Sequence, residues 1–223
     1  MNELHANKQP PAVVCFDLGG VVVRIARSWA EACERAGVEV RDPERFHNPA
    51  LKADRRALSN EYQAGAIDCD TYFDRVASKT AGLYEPHEIR VVHDAWIFED
   101  YPGMGTLIDE LNTIEGVRTA CLSNTNHRHW VTHLIGESHL HATKRIEHKM
   151  ASQILNAVKP ESAIYALAEQ ELRVDPSRIL FFDDLEDNVL AARARGWDAV
   201  RVDHAASCTS MQIRAELSVR GVL

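Results

Sequence analysis

Short apolar runs alternate with helical patterns along much of the chain. Each run is four to six residues long, rich in β-branched or aromatic side chains and flanked by polar residues, which is the pattern of a buried strand. The runs that predict strands are 13–16, 117–122, 179–182 and 199–202, with a weaker candidate at 144–148. Because helical patterns separate the later runs, we expect a parallel sheet with helices on both faces.

Helix start and stop signals punctuate the pattern between these runs. Pro160 is placed to begin one helix, and another is predicted from about 186 to 195, where Gly196 ends it. From 24 to 101 the pattern is helical throughout, with predicted starts near Ser28, Asp54, Asp68 and Pro86. A crossover between parallel strands needs only a dozen or more residues, so this stretch predicts an inserted helical subdomain.

Composition and charge narrow the class of protein. Of the 223 residues, 45% are hydrophobic and 26% are charged, which is enough apolar surface for a core. The net charge of −8 disfavours nucleic acid as the main partner, because an acidic chain repels phosphates. We expect no membrane span, and the polar stretch 1–11 lacks the apolar region of a signal peptide. The odd number of cysteines, without CxxC spacing, indicates reduced thiols and a cytoplasmic location.

An acidic residue directly follows the first predicted strand. Asp17 is succeeded by Leu18, Gly19 and Gly20. Ligands of open α/β sheets bind outside the carboxyl ends of the strands, where a carboxylate can act as a nucleophile or as a metal ligand. The two glycines allow a tight turn whose N–H groups face a bound anion. On this motif alone, a turn-forming aspartate before glycines is an equally good interpretation.

Two further candidates for an anion site occur later in the chain. Ser123 and Asn124 follow the run 117–122, and a hydroxyl with nearby backbone N–H groups can bind a phosphate oxygen. Taken alone, the pair is more typical of a loop or a helix cap. Lys159 precedes Pro160 at a helix start, where its charge opposes the helix dipole. A bound anion would be attracted both to the Lys159 ammonium and to the positive end of the helix dipole, and would offset their repulsion. The alternative is a solvated lysine.

A pair of acids follows the third strong run. Asp183 and Asp184 stand directly after 179–182, and Asp187 and Asn188 lie in the next turn. Two adjacent carboxylates at a buried strand end repel each other, and a hard cation such as Mg²⁺ would relieve the repulsion. The alternative is an acidic helix start, and for Asp187 we expect mainly an interaction with the helix dipole.

Taken together, these motifs resemble those of the haloacid dehalogenase (HAD) superfamily. They are, in chain order, Phe16-Asp17-Leu18-Gly19-Gly20-Val21, Leu122-Ser123-Asn124, Lys159-Pro160, and Phe182-Asp183-Asp184 with Asn188. The resemblance implies a doubly wound, Rossmann-like α/β core formed by 1–23 and 102–223, with an inserted α-helical cap over 24–101. Within the superfamily, the sequence is most similar to the sugar-phosphate phosphatase-like branch of the members that carry a helical cap.

The resemblance also implies a reaction. The expected activity is hydrolysis of a small phosphomonoester, with a sugar phosphate as one candidate, through an aspartyl-phosphate at Asp17 and with Mg²⁺ as cofactor. The implied metal ligands are Asp17, the Gly19 carbonyl and Asp184, with Asp183 in support. The implied contacts of the phosphoryl group are Ser123, the Asn124 backbone and Lys159.

One position departs from the superfamily pattern. Its phosphatases usually carry a second aspartate two residues after the nucleophile, where this chain has Gly19. A general acid–base group typically contributes about 10²–10⁴-fold to a rate. Either another group supplies the proton, or the leaving group needs little help, or the protein binds phosphate with slow or no turnover. The 2-haloacid dehalogenases of the superfamily also lack this acid, but they use no metal. The Asp183-Asp184 pair, which suits a metal, argues against a dehalogenase.

Histidines and cap residues supply further hypotheses. Six of the eleven histidines fall between 127 and 148, and His127 or His129 could donate the missing proton, since the ordinary pKa of histidine is near 6.5. The arginines of the predicted cap are more typical of solvated faces, and the tryptophans of packing. These residues are Arg24, Arg27, Arg55 and Arg56, and Trp29, Trp96 and Trp130.

Overall fold

The computed structural model describes residues 10–136, 139–205 and 208–223. Its strands are β1 (Val13–Phe16), β2 (Val23–Ile25), β3 (Ile97–Asp100), β4 (Arg118–Ser123), β5 (His148–Ala151), β6 (Ile179–Asp183) and β7 (Asp198–Arg201). Five of them form one sheet in the order β5-β4-β1-β6-β7, and every neighbouring pair in this sheet is parallel. The doubly wound α/β class expected from the sequence is therefore confirmed.

Helices occupy most of the chain between the strands. They are α1 (Trp29–Ala36), α2 (Pro43–Phe46), α3 (Pro49–Gln63), α4 (Cys69–Ser78), α5 (Pro86–Asp94), α6 (Met104–Leu111), α7 (His127–His129), α8 (Ala142–Arg145), α9 (Ser152–Leu155), α10 (Ser162–Leu172), α11 (Glu186–Ala194) and α12 (Thr209–Val219). Trp130–Leu134 continues α7 as a π-helical turn, and Pro176–Arg178 forms a 3₁₀ turn before β6. Among the described residues, no helix combines the length and the apolar character needed to cross a membrane.

Strand β1 lies at the centre of the sheet and is buried on both faces. Its side chains alternate, so that Val14 and Phe16 pack into one core cluster while Val13 and Cys15 pack into another. The first cluster includes residues of α6 and α12, and the second includes residues of α10 and α11. Helices therefore cover both faces, as the alternation of strands and helices predicts.

The strand register brings three chain segments to one edge of the sheet. Phe16 pairs with Cys121 of β4 on one side and with Phe182 of β6 on the other. Because the strands are parallel, the residues after each of these positions emerge at the same carboxyl edge. Asp17 follows Phe16, and Asp183 closes β6, so the polar residues of separate motifs meet at the centre of this edge.

Five helices, α1 to α5, lie between β2 and β3, and we call residues 29–94 the helical segment. Its own core is aromatic: Phe46, Phe73 and Tyr84 are buried together, and the Trp29 ring stacks on Phe46 with centroids 4.9 Å apart. The predicted start of α1 is confirmed, because Ser28 Oγ accepts a hydrogen bond from the Glu31 N–H. The segment thus packs as a unit beside the sheet.

The prediction of helices alone over 24–101 is wrong at both ends of that stretch. Strands β2 and β3 form an antiparallel ribbon there, and Arg24 Nη1 lies 2.7 Å from Glu99 Oε1 across it. Each strand has only three or four residues, too few for a period-two pattern to stand out. Their pairing partners are about 75 residues apart in the chain, a separation that local periodicity cannot detect.

Other element boundaries also differ from the predictions. The weak strand expected at 144–148 is instead His148–Ala151, where Met150 and Ala151 are buried, and Ala142–Arg145 forms a helical turn. Helix α3 begins at Pro49, capped by the Asn48 side chain, five residues before the expected start at Asp54. Helix α10 begins at Ser162, two residues after Pro160.

Candidate active site

A buried lysine lies between two buried carboxylates at the carboxyl edge of the sheet. Lys159 Nζ is 3.0 Å from Asp17 Oδ1 and 2.7 Å from Asp183 Oδ2. The lysine and Asp183 side chains are at most 1% exposed, and the Asp17 side chain is 11% exposed. Burial opposes the charged ammonium, but the two carboxylates outweigh it and raise the pKa of Lys159 above its usual range.

The Asp183 carboxylate is held by several donors. Asn188 Nδ2 lies 3.0 Å from each of its oxygens, and the Leu185 N–H donates to Oδ1 over 2.9 Å. With Lys159 these donors account for both oxygens. Asp183 is therefore suited to orient Lys159 and to support the neighbouring acids.

Asn124 fixes the backbone that carries Lys159. Its Nδ2 donates to the Lys159 carbonyl oxygen over 2.8 Å, and its Oδ1 accepts from the Lys159 N–H over 2.8 Å. The Asn124 side chain thus bonds both the N–H and the carbonyl oxygen of Lys159. These two bonds fix the backbone position from which the lysine side chain extends. The sequence motif had indicated only a phosphate contact from the Asn124 backbone, so this positioning contact is additional.

Asp184 is buried, and its carboxylate contacts two side chains from outside the predicted site, a guanidinium and an imidazole. Arg27 Nη1 lies 2.9 Å from Asp184 Oδ2, and His204 Nδ1 lies 3.4 Å from the same oxygen. Arg27 is exposed, as the sequence predicts, and it forms this ion pair as well. Its contact with Asp184 spans 157 positions in the chain, so no local pattern could have indicated it.

The backbone at Gly20 passes close to Asp184. The residue has a φ of +86°, and a Cβ built there would stand 2.4 Å from Asp184 Oδ2 and 2.5 Å from Arg27 Nη2. A side chain is therefore excluded both by conformation and by space. At the second glycine of the Gly19-Gly20 pair, contact with Asp184 and Arg27 explains why the position has no side chain.

The acids have the donor chemistry of a divalent cation site. Oxygen atoms of Asp17, Asp183 and Asp184 all lie within 4.8 Å of one another, and the three residues are buried. Burial raises the pKa of Asp17 to about 7, with Asp183 and Asp184 adding to the rise and Lys159 opposing it. A cluster of three carboxylates offers the hard oxygen ligands that Mg²⁺ prefers, and a bound Mg²⁺ would favour the ionised form of Asp17.

A cavity of about 420 Å³ opens between this edge of the sheet and the helical segment. Leu18, Gly19, Ser123 and Asn124 line it on the side of the sheet. The helical segment contributes a mainly aromatic and aliphatic wall that includes Trp29, Phe46, Tyr62, Tyr72, Val76 and Ile89. The predicted packing role of Trp29 fits its stack on Phe46, although the residue also lines the cavity.

Two histidines stack on each other at the boundary between the helical segment and the sheet. The rings of His93 and His129 have centroids 3.8 Å apart, and His129 Nε2 donates to the His93 carbonyl oxygen over 2.7 Å. Burial lowers the pKa of His129 to about 4 and that of His93 also below its ordinary value. Both line the cavity as neutral rings, whereas the other proton-donor candidate, His127, is exposed and does not line it.

The predicted cap arginines have different surroundings. Arg55 donates to the carbonyl oxygens of Lys79 and Phe46 and lies over the Phe46 ring, so it is held inside the helical segment. Arg56 lines the cavity, and Arg24 pairs across the β2–β3 ribbon. Arg55 also lines the cavity, but its guanidinium already donates to two carbonyl oxygens, so Arg56 is the better placed of the two to contact an anionic end of a substrate.

Residues 11–196 match the model of the haloacid dehalogenase-like hydrolases. The chain belongs to this family. The match spans more than half of the chain and covers all four motifs, so the HAD-like resemblance of the sequence is confirmed and the protein is a hydrolase of that family.

Two curated relatives of this HAD-like chain are each 29% identical to it. Acyl-CoA dehydrogenase family member 10 of Mus musculus aligns over 89% of this chain and 18% of its own length. This chain therefore spans about a fifth of the mouse protein. A phosphoglycolate phosphatase of Pseudomonas putida aligns over 85% of this chain and 68% of its own length.

Solved structures share the HAD-like fold. A HAD family enzyme of Bacteroides thetaiotaomicron, in complex with magnesium and inorganic phosphate, has a TM-score of 0.68 at 19% identity and covers 87% of this chain and 96% of its own. The L-2-haloacid dehalogenase of Xanthobacter autotrophicus, with chloropropionic acid covalently bound, has a TM-score of 0.61 at 21% identity, covering 96% and 84%. At these identities the likeness describes the fold, which both chemistries use.

Proposed function

We propose that the protein is a phosphatase that hydrolyses a small phosphomonoester in the cytoplasm through an aspartyl-phosphate on Asp17. The observation that carries this proposal is the buried lysine between Asp17 and Asp183, with Asp184 close enough to share a cation. Phosphoryl transfer requires charge neutralisation and in-line positioning above all. The arrangement concentrates both at one point beside the cavity.

In this proposal Mg²⁺ would be held by the Asp17 carboxylate, the Gly19 carbonyl and Asp184. When bound, it would neutralise charge on the phosphoryl oxygens and on Asp17. Asp183 would support the site by holding Lys159. The phosphoryl oxygens would be bound by Lys159 Nζ, the Ser123 hydroxyl and the Asn124 backbone N–H.

The reaction would proceed in two displacements at phosphorus. First an Asp17 carboxylate oxygen forms a bond to phosphorus while the bond to the leaving oxygen breaks, and that oxygen keeps the electron pair. Water then attacks phosphorus, the bond to Asp17 breaks, and phosphate, the free carboxylate and one proton are released. This proton balances the one that the departed oxygen takes up, so the net reaction is hydrolysis.

We further propose that residues 24–101 act as a cap over the core formed by 1–23 and 102–223. The cavity supports this, because one of its walls belongs to the sheet and the other to the helical segment. The cap would then exclude water from the phosphoryl group and select the organic part of the substrate.

The proposal is tested by measuring phosphate release from phosphoglycolate, a sugar-phosphate panel and an aryl phosphate, with Mg²⁺ and with a chelator. We expect release that needs Mg²⁺ and that falls at least 10³-fold in Asp17→Asn. Asp187→Asn is the matched control, because Asp187 is exposed in the first turn of α11. No release from any compound, with Asp17→Asn indistinguishable from the wild type, would contradict a phosphatase.

A second candidate is a phosphate-binding protein with little or no turnover, favoured by the missing acid at Gly19. It predicts that beryllofluoride protects the protein against unfolding while no phosphate is released from any ester. Dehalogenation predicts chloride release from a 2-haloacid that a chelator does not affect. The cluster of three carboxylates favours the phosphatase over both, because it supplies cation ligands that neither alternative requires.

A further inference from the structure

The space beside the nucleophile is filled by a hydrocarbon side chain. Gly19 has no side chain, and a Cβ built there would stand 3.0 Å from Ile25 Cδ1. Ile25 ends β2, and both residues line the cavity. The space beside the residue two positions after Asp17 is therefore occupied by a side chain that has no ionisable proton.

Within the described part of the chain, none of the residues that line the cavity is an aspartate or a glutamate. His93 and His129 are neutral near pH 7, because burial lowers the pKa of each. Tyr62 shares a hydrogen bond with Cys69 Sγ, and burial raises its pKa. These three side chains therefore supply no protonated acid with a pKa near neutrality, which is what efficient general acid catalysis requires.

A large part of the cavity wall is also hydrocarbon. Its walls combine aliphatic and aromatic side chains from both the sheet side and the helical segment. They are Leu18, Val23, Ile25, Trp29, Phe46 and Tyr72, among others. Hydroxyl groups placed against this part of the wall would lose their hydrogen bonds to water without replacement, although Lys52, Arg56, Ser59 and Gln63 line other parts of the cavity.

We propose that the preferred substrates are phosphate esters of weakly basic leaving groups carried on an apolar body, with aryl phosphates as the simplest class. This inference rests on the proposed phosphatase function and narrows it. A general acid is typically worth about 10²–10⁴-fold, and a leaving group that departs as a stable anion does not require it. The wall of hydrocarbon then binds the apolar body by excluding water.

In the proposed transfer to Asp17, no acid of the protein protonates the leaving oxygen. Asp17 Oδ forms its bond to phosphorus, the bond from phosphorus to the aryl oxygen breaks, and the aryl oxygen leaves with the electron pair as an aryloxide. The aryloxide takes a proton from water after it has left the cavity. Hydrolysis of the aspartyl-phosphate returns one proton to solvent, so charge and atoms balance over the cycle.

The first experiment measures kcat/KM for apolar esters of rising leaving-group basicity: para-nitrophenyl, phenyl, benzyl and n-hexyl phosphate. This ratio includes only the steps up to departure of the leaving group, so slow hydrolysis of the aspartyl-phosphate does not mask it. We expect a fall of at least 10³-fold from the first ester to the last. A fall of less than tenfold would overturn the inference.

The second experiment introduces a carboxyl group at position 19. In Gly19→Asp combined with Ile25→Ala, the carboxyl group gains the space that Ile25 Cδ1 now fills. We expect the ratio of kcat/KM for n-hexyl phosphate to kcat/KM for para-nitrophenyl phosphate to rise at least 10²-fold, whatever the change in absolute activity. Gly19→Asn with Ile25→Ala is the matched control, with the same volume and no carboxyl proton, and it should give no rise.

The third experiment tests the apolar body. Naphthyl and phenyl phosphate have leaving groups of similar basicity, and we expect KM to be about tenfold lower for naphthyl phosphate, because more apolar surface leaves water. A sugar phosphate turned over faster than every aryl ester would contradict the inference while leaving the phosphatase function intact. Loss of all phosphate release, in contrast, would contradict the proposed function itself.

Discussion

The two walls of the candidate site bury their ionisable groups in opposite ways. At the strand ends, Asp17, Asp183 and Lys159 are buried as charges and stabilise one another over 2.7–3.0 Å. On the wall facing them, His93 and His129 are buried as neutral rings that stack. Buried charge is therefore concentrated in the part of the site that a phosphate would share, while the two buried histidines are neutral. Lys52, Arg55 and Arg56 bring further positive charge to the cavity from the helical segment. In a chain with a net charge of −8, the distribution of charge matters more than its sum.

The largest expected effect comes from breaking the charged wall at Lys159. In Lys159→Met, two carboxylates remain buried without their cation, and loss of one partner of a buried ion pair costs about 3–5 kcal/mol. We expect the free energy of unfolding, measured by urea denaturation, to fall by that amount, and phosphate release to be lost.

The matched control for Lys159 is Lys79, whose side chain is 43% exposed and lies 2.9 Å from Asp54. Exposed pairs contribute little, so Lys79→Met should change the free energy of unfolding by less than about 1 kcal/mol. Equal losses in the two variants would mean that the Asp17–Lys159–Asp183 cluster is no more important to stability than a surface contact.

Gly20 tests how closely the backbone must approach Asp184. Gly20→Ala places a methyl group against Asp184 Oδ2 at a φ of +86°, so both strain and displacement of the carboxylate are expected. The strain alone costs of order 1–3 kcal/mol, and the displacement should also weaken stabilisation by Mg²⁺ in a thermal melt.

Gly37 provides the comparison for Gly20, because it has a φ of +68° with nothing within 4 Å of a built Cβ. Gly37→Ala should show the conformational strain alone, about 1 kcal/mol, and leave the response to Mg²⁺ unchanged. If Mg²⁺ stabilised the two variants equally, the substitution at Gly20 would not affect metal binding, and the prediction would be wrong.

The two walls should also respond to acid with opposite signs. The pKa of Asp17 is raised to about 7 in the folded state, so the folded protein takes up this proton first and is stabilised as the pH falls from 7 to 5. The pKa of His129 is lowered to about 4, so the unfolded chain is protonated first and the folded state is destabilised over the same interval. Each contribution is about 2 kcal/mol.

A variant that lacks the Asp17 carboxyl group should show the destabilisation by His129 alone. In the absence of divalent cations, Asp17→Asn should lose about 2 kcal/mol more of its free energy of unfolding between pH 7 and pH 5 than the wild type does. Denaturant titrations at several pH values measure this difference. A wild type and variant with parallel pH profiles would show that Asp17 is ionised at neutral pH without a cation.

The smallest effect concerns the helical segment alone. Ser28→Ala removes the side-chain cap of α1, which should cost about 1 kcal/mol, while the kinetics with para-nitrophenyl phosphate stay unchanged because no charged group of the strand-end wall moves. Ser218→Ala, at an exposed position of α12, should change the free energy of unfolding by less than about 0.5 kcal/mol. A change in kcat for Ser28→Ala would link the capping of α1 to the chemistry.

The sequence predicted the sheet side of the site because its residues sit at fixed offsets from strand ends. Asp17, Ser123 and Asp183 each stand at the end of a buried run, and parallel strands bring such positions together. The place of Lys159 could be anticipated from its conflict with the helix dipole, although its contact with Asp183 could not. Their roles as nucleophile, phosphate contacts and metal ligands remain predictions.

The opposite wall could not be predicted in the same way. The contact of Ile25 with Gly19 depends on the pairing of β2 with β3, and the stack of His93 on His129 depends on how α5 lies against the sheet. Arg27 reaches Asp184 across 157 positions. Such contacts arise from the packing of distant segments, which periodicity and local motifs do not encode.

The ribbon of β2 and β3 has a consequence for how this protein can change over evolutionary time. Val23 pairs with Asp100 and Ile25 with Ile97, so the chain enters and leaves the helical segment at adjacent points. Closing an insertion between such points depends only weakly on its length, so recombination can exchange the segment without disturbing the sheet. An exchange that included the ribbon would carry Ile25 with it. One genetic event could then alter both the organic group accepted and the proton requirement of the reaction, while Asp17, Lys159 and Asp183 stay as they are.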